Sequence, residues 1–66
     1  MKAQVHPTWT STYGERRIAV VYYDGAYQCH VDGSLVDTGE SLRVAKSRVE
    51  DYLALPETVR LEWGRA

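Results

Sequence analysis

The stretch IAVVYYDGAYQCHVDGSLV, residues 18–36, contains two Asp-Gly pairs, each placed between runs of apolar residues. A two-residue hairpin loop of type I′ needs positive φ at both central positions, which Asp and Gly adopt more readily than most residues. Asp24-Gly25 and Asp32-Gly33 therefore predict two consecutive tight turns. Three antiparallel strands in a row follow from them.

The register that these turns impose separates an apolar face of the sheet from a mixed one. With the first pair as the loop, Val20 lies opposite Cys29, and the second pair places Val36 opposite the same cysteine. Both turns thus predict one core face, because a slip of one residue would turn every side chain of a strand over. The alternate positions point away from this core: Ala19, Val21, Tyr23, His30 and Leu35.

The acids beside these glycines are spaced for turns rather than for a metal ion. A calcium loop of the EF-hand type needs acids at alternate positions and a bidentate Glu at the twelfth, and Asp24, Asp32 and Asp37 lack that spacing. Cys29 is the single cysteine, so an intramolecular disulfide is excluded, and with two histidines it does not complete a Cys/His zinc site. We expect no cofactor.

Residues upstream of this stretch extend the sheet. The segment TWTSTYGERR is rich in β-branched and aromatic residues around Gly14-Glu15, a pair that suits a type II′ loop. This pattern predicts a further strand with Trp9 opposite Val20. The preceding Pro7 indicates a short edge strand.

Downstream, the hydrophobic period changes to that of a helix. In TGESLRVAKSRVEDYLALP, apolar residues recur at helical spacing: Leu42, Ala45, Val49, Tyr52 and Leu53. Either Asp37, with Glu40 three residues on, or Thr38 is predicted to cap the helix, and Pro56 to end it. The tail TVRLEWGRA alternates apolar and charged residues and predicts a last strand.

These elements together predict an α+β fold. It is a small antiparallel β-meander of three to four strands, with one α-helix packed on one face and a C-terminal edge strand. The chain of 66 residues is expected to form one domain, residues 1–66. A chain this short buries only about 60% of the surface that it exposes when unfolded, so its core is thin and association would enlarge it.

Charge and composition limit the partners and the cellular compartment that we expect for this protein. A formal net charge of −1 and a pI near 6.0 exclude an overall basic field that would attract nucleic acid or an anionic membrane. No apolar run approaches the roughly 20 residues that cross a bilayer, and MKAQVHPTWT lacks the apolar segment of a signal peptide. We therefore expect a cytoplasmic protein. The excess of Arg and Val and the lack of Phe and Asn are typical of GC-rich genomes, and the source that we expect is a bacterium or a phage.

The segment GAYQCHVDGSLVDTGESLRVAKSRVEDYL, residues 25–53, resembles the amino-terminal ββαβ domain of HicB-like antitoxins, a half-size relative of the RNase H fold. The matching positions open a strand or lie along the helix: Gly25, Tyr27, Gly39, Glu40, Ser41, Leu42, Ala45, Tyr52 and Leu53. The chain departs from the family at Asp32-Gly33, where the family carries a Pro-rich turn with a cysteine. The resemblance implies an antitoxin-like inhibitor protein.

Neighbouring residues that could act together in catalysis point apart. Cys29 and His30 are adjacent on a strand, so their side chains lie on opposite faces and do not form a nucleophile–base pair. Glu50 and Asp51 diverge by about 100° on the helix. We therefore expect no enzymatic activity.

The sheet face turned away from the helix is the predicted protein-binding site, because small domains seldom leave a contiguous apolar-aromatic patch bare. We assign five residues to it: Tyr13, Val21, Tyr23, Leu35 and His30. Either a protein partner or the amino-terminal segment covers this patch, and a second copy of the chain is the simplest partner. The expected function is that of an accessory or inhibitor protein acting on a larger cytoplasmic protein.

The alternative function is nucleic-acid binding through the sheet face or the Arg-bearing helix. Its candidate contacts are the basic residues of the second strand and the helix: Arg16, Arg17, Arg43 and Lys46. Phosphate binding needs several cations on one surface. Arg43 and Lys46 share their helix side with Glu50, which makes this alternative the weaker one.

Overall fold

A computed structural model gives the fold and describes residues 6–66. Within these residues, five antiparallel strands form one open sheet with a single helix packed against it: β1 (Thr8–Tyr13), β2 (Arg16–Tyr23), β3 (Ala26–Val31), β4 (Ser34–Gly39), α1 (Leu42–Leu53) and β5 (Gly64–Arg65). The strand order is β4-β3-β2-β1-β5, which is a meander with the C-terminal strand added at one edge. The predicted α+β fold is confirmed.

Both Asp-Gly pairs form the predicted turns. All four residues have the positive φ that a type I′ loop requires: Asp24 (53°), Gly25 (80°), Asp32 (53°) and Gly33 (84°). Strands β2 and β3 pair in the predicted register, with Val20 opposite Cys29. The turn residues alone therefore placed the centre of the sheet correctly.

The pairing of β3 with β4 differs from the prediction. His30 lies opposite Leu35 as expected, but the register then shifts, so that Cys29 faces Asp37 rather than Val36. The extra residue forms a β-bulge, in which two residues of one strand oppose one residue of the other. Val36 still packs against the core, so the prediction that it is a core residue is confirmed and only its pairing with Cys29 is wrong.

Strand β1 has the predicted register but not the predicted position in the sheet. Positive φ falls on Gly14 (60°) and not on Glu15, as in a type II′ loop, and Trp9 lies opposite Val20. The expectation that β1 is an edge strand is wrong, because β5 pairs with its free side and places Arg65 opposite Trp9.

The helix begins later than predicted. Ser41 is its N-cap, and the Ser41 hydroxyl oxygen accepts a hydrogen bond from the backbone N–H of Val44 at 3.2 Å. The prediction of Asp37 or Thr38 as the cap is wrong, because β4 continues through Gly39 and both residues still belong to the strand.

The helix also ends ahead of Pro56, because Ala54 takes a left-handed conformation with a φ of 54°. Ala45 and Val49 are fully buried, as the apolar stripe predicts. Tyr52 belongs to the same predicted stripe but is 51% exposed. The helix therefore buries fewer side chains in the core than its apolar stripe predicts.

Two segments cover the inner face of the sheet. Helix α1 packs over β3 and β4, and residues 59–63 lie beside β1, where the Ser11 hydroxyl donates to the Glu62 carbonyl at 2.7 Å. Leu61 and Trp63 of that segment pack against the core. The alternating apolar side chains of the tail are thus partly buried by packing against the core and not by strand pairing. Only two residues of the tail form a strand. The buried cluster lies between these layers: Ile18, Val20, Cys29, Ala45 and Val49.

Candidate functional site

The candidate site is the face of the sheet opposite helix α1, here called the outer face. Its members follow from the register, because alternate residues of a strand share a face. The outer face consists of the following side chains: Thr8, Thr10, Thr12, Arg17, Ala19, Val21, Tyr23, Ala26, Gln28, His30, Leu35 and Thr38. None of them is Asp or Glu, and Arg17 is the only Lys or Arg.

A row of paired residues crosses the centre of the outer face. Thr10 lies opposite Ala19, Ala19 opposite His30, and His30 opposite Leu35. Leu35 is 55% exposed, and Tyr23, near one end of the face, is 49% exposed. Two large side chains thus stand in solvent on a surface that carries almost no charge.

An open groove of about 480 Å³ runs along this face. Small side chains of β1 and β2 leave room above the sheet, and six outer-face residues line it: Thr10, Thr12, Arg17, Ala19, Val21 and His30. The lining is mainly apolar, with one guanidinium and two threonine hydroxyls. The two threonines were not among the predicted site residues, although the register from the Gly14-Glu15 turn would have placed them here.

His30 is held along the surface by its neighbour on the same strand face. Its Nε2 lies 3.2 Å from the side-chain oxygen of Gln28, and the imidazole is half-buried. This contact orients the ring beside Ala19 and makes His30 part of the groove lining.

The residues before β1 reach one end of the outer face. The His6 ring meets the Tyr23 ring edge-on, with 4.9 Å between the ring centres and an angle of 81° between their planes. The Pro7 carbonyl accepts a hydrogen bond from the Tyr22 N–H at 2.9 Å. This contact covers only the Tyr23 end of the face and leaves Leu35 exposed. The alternative that the amino-terminal segment covers this patch also involves residues 1–5, which lie outside the described residues.

Both edges of the sheet are poor templates for an added strand. At the β4 edge, the Thr38 N–H donates to the Asp37 carboxylate at 2.8 Å, and the bulge at Val36 interrupts the ladder. At the other edge, β5 has only two residues. Bulges, charges and short edge strands all discourage strand pairing, which leaves the outer face as the larger open surface.

Four of the five predicted protein-binding residues share the outer face: Val21, Tyr23, His30 and Leu35. Tyr13 does not, and its assignment to this face was wrong. It pairs with Arg16 and alternates with Ser11, so it lies on the same side of the sheet as the helix, where it is 36% exposed.

The four predicted phosphate-binding residues do not form one surface. Arg16 lies on the helix side of β2 and Arg17 on the outer face, since they are adjacent on one strand. Arg43 is exposed on the helix, and the Lys46 ammonium lies 5.3 Å from the centre of the Trp63 ring. A phosphate backbone would therefore meet these cations singly, which is a poor basis for affinity.

Asp32 ties the second turn to the start of β2. Its carboxylate accepts from the Arg17 N–H at 2.9 Å and from the Arg16 Nε at 2.6 Å, while its own N–H donates to the Arg17 carbonyl at 2.7 Å. The Arg17 amide, and after it the Arg16 guanidinium, lower the pKa of Asp32. This acid holds a turn, as the sequence predicted.

The depressed pKa of Asp32 predicts an acid-dependent contribution to stability. A carboxyl group whose pKa is lower in the folded state stabilises the fold above its unfolded pKa, and this stabilisation is lost as the pH falls through the folded pKa. Asp32→Asn should therefore melt below the wild type at neutral pH, and the difference should close in acid. Thermal melts recorded by circular dichroism from neutral pH to below about pH 3 test this.

Asn is the appropriate replacement because it also tolerates positive φ, so that the turn is kept while the charge is removed. Asp24→Asn is the matched control, because it makes the same change at the other Asp-Gly turn, where no ion pair is present in the described chain. An Asp32→Asn difference that stays constant down to the lowest pH would contradict the assignment.

The arrangement of Cys29 and His30 agrees with the prediction that they do not act together. Cys29 is fully buried on the core face, and its Sγ donates to the Ala45 carbonyl at 3.3 Å. Burial raises the pKa of the thiol, so it stays protonated and is a packing residue. Among residues 6–66, no three His, Cys, Asp or Glu side chains come close enough together to hold a metal ion.

Comparison with known proteins does not identify a family for this chain. No family model, no curated protein and no solved structure matches it. The resemblance to HicB-like antitoxins stays a prediction. Within the described part of the chain, no helix has the length and apolar character needed to cross a membrane.

Proposed function

We propose that this protein is a small non-enzymatic protein-binding module that docks a partner on its outer face. The observation that carries the proposal is the exposure of Tyr23 and Leu35 on a sheet face that neither the helix nor the tail covers. Exposed aromatic anchors such as Tyr23, on a surface depleted of charge, are typical of protein interfaces.

A protein fits this surface better than a nucleic acid does. A nucleic acid would need several cations on the docking face, and Arg17 is the only Lys or Arg among the outer-face residues. An extended apolar surface beside a groove of about 480 Å³ instead suits the side chains of another protein.

The biological role that we propose is that of an accessory or inhibitor protein of bacterial or phage origin, acting on a larger cytoplasmic protein. Since residues 6–66 bring no metal-holding cluster of His, Cys, Asp or Glu together, the mode of action that we propose is occupation of the target's surface. The resemblance of residues 25–53 to HicB-like antitoxins supports an inhibitory role.

The double variant Tyr23→Ala/Leu35→Ser tests the proposal. Both side chains are about half exposed, so removing them should leave the melting temperature nearly unchanged. Loss of two anchors should lower affinity by about 2 kcal/mol or more, which is about thirtyfold or more. The measurement is quantitative pull-down from cell lysate at physiological salt, followed by titration of the recovered protein.

Tyr52→Ala is the matched control, because Tyr52 is exposed to nearly the same extent (51%) but lies on the helix. It should bind as the wild type does. Sedimentation of each variant comes first, since a dimer formed through the outer face would also be broken by the double change. Retention of the target by the double variant, with unchanged oligomeric state, would show that the outer face is not the interface.

A further inference from the structure

The outer face carries one positive charge and no negative charge to balance it. Arg17 lines the groove and is exposed, and its guanidinium makes no ion pair within residues 6–66. The nearby carboxylate of Asp32 is already held by the Arg16 side chain and the Arg17 backbone amide. The groove therefore presents one unpaired cation beside an apolar lining.

A second copy of the chain does not supply the missing charge. In a symmetric face-to-face dimer, each outer face meets another outer face, and these faces contain no Asp or Glu. Such a dimer would desolvate Arg17 against a partner without a carboxylate, which is costly for a charged group. This argues against a homodimer, although the thin core makes a second copy of the chain the simplest partner to expect.

The positions of the groove and of the Arg17 cation set the distance between the two side chains of a partner that would contact them. Arg17 and Ala19 are alternate residues on the same face of β2, about 7 Å apart along the strand. An extended segment lying along β2 would reach the space above Ala19 with one side chain and Arg17 with the side chain two residues away.

We propose that the outer face binds an extended protein segment in which a large apolar side chain fills the groove above Ala19 and a carboxylate two residues away pairs with Arg17. The inference rests on the proposed function and names the chemistry of the partner. Specificity comes from the carboxylate, because wrong partners would leave the guanidinium unpaired.

The test is selection of a displayed random-peptide library on the immobilised full chain. Wild-type protein should enrich peptides in which Asp or Glu stands two residues from a large aliphatic or aromatic residue. Synthetic peptides from that set should bind about tenfold or more weakly to Arg17→Glu, nearly normally to Arg17→Lys, and more weakly as salt is raised. Arg43→Glu reverses an exposed charge on the helix and should change nothing.

Melting curves establish that each variant is folded, and Arg17→Gln replaces Arg17→Glu if charge reversal unfolds the strand. The inference is overturned if the selected peptides carry no excess of acid, if they bind Arg17→Glu equally well, or if none is selected. Self-association that Leu35→Ser abolishes would assign the face to a second copy, and retention of a DNA oligonucleotide through Arg17 would assign it to nucleic acid. Peptides that need Tyr23 and Leu35 but not an acid would sustain the proposed function and refute only this deeper inference.

Discussion

Val20→Asp is expected to unfold the domain. Val20 is completely buried at the centre of the sheet, between Trp9 and Cys29 in the register. The cluster around it within residues 6–66 is built of apolar side chains, and burial of an unpaired ion costs several kcal/mol. The whole stability of a chain of this length is roughly 3 to 10 kcal/mol. Loss of cooperative melting and of dispersed amide resonances is the expected readout.

Val21→Asp is the matched control for this change. The two valines are neighbours on β2, but Val21 lies on the outer face and is only half-buried. A carboxylate at position 21 can reach water, so this variant should fold and melt cooperatively. If Val20→Asp melted near the wild-type temperature, the assignment of Val20 to the core face and of Val21 to the outer face would be wrong.

The centre of the sheet could be predicted from the sequence because its turns are chemically specific. Two Asp-Gly pairs fix the loop residues, and a two-residue loop fixes the register of the strands that it joins. The same logic placed Trp9 opposite Val20 through Gly14. Short-range backbone chemistry was sufficient for these elements.

The parts that could not be predicted depend on contacts between distant segments. The bulge at Val36 lets that side chain reach the core while Asp37 takes its place opposite Cys29, and no turn residue signals such an insertion. Asp37 and Thr38 are good capping residues by type, but the strand continues through them because Gly39 pairs with Tyr27. Competition between strand and helix for the same residues is decided by packing.

The candidate site was predictable to the same degree as the strands that carry it. Side-chain alternation placed Val21, Tyr23 and Leu35 on one face, as the structure shows. Tyr13 lies on the other face because it alternates with Ser11 and Trp9 along β1, and the register set by Gly14-Glu15 already implies this. The groove arises from small residues beside each other on different strands, such as Thr10 and Ala19, and its volume depends on the sheet as a whole.

Gly39→Ala is expected to be strongly destabilising, although Gly39 has an ordinary φ. Gly39 is buried at the end of β4, where a Cβ atom would lie 2.7 Å from the Ala45 nitrogen and 2.9 Å from the Ala45 Cα. Both atoms belong to the helix backbone, so the helix must shift as a unit. Overpacking of this kind costs about 1–3 kcal/mol. A fall in melting temperature of about 10 °C in a thermal melt is expected.

The cause of this loss can be separated from the general cost of replacing a strand glycine. Gly64→Ala is the control, because the nearest atom to a new Cβ there is the Thr10 hydroxyl at 4.0 Å, and its melting temperature should stay near that of the wild type. Ala45→Gly added to Gly39→Ala removes only the side-chain contact at 3.1 Å and leaves both backbone contacts. The double variant should therefore not recover. Recovery would mean that the close approach of α1 to β4 is set by the Ala45 methyl group and not by the helix backbone.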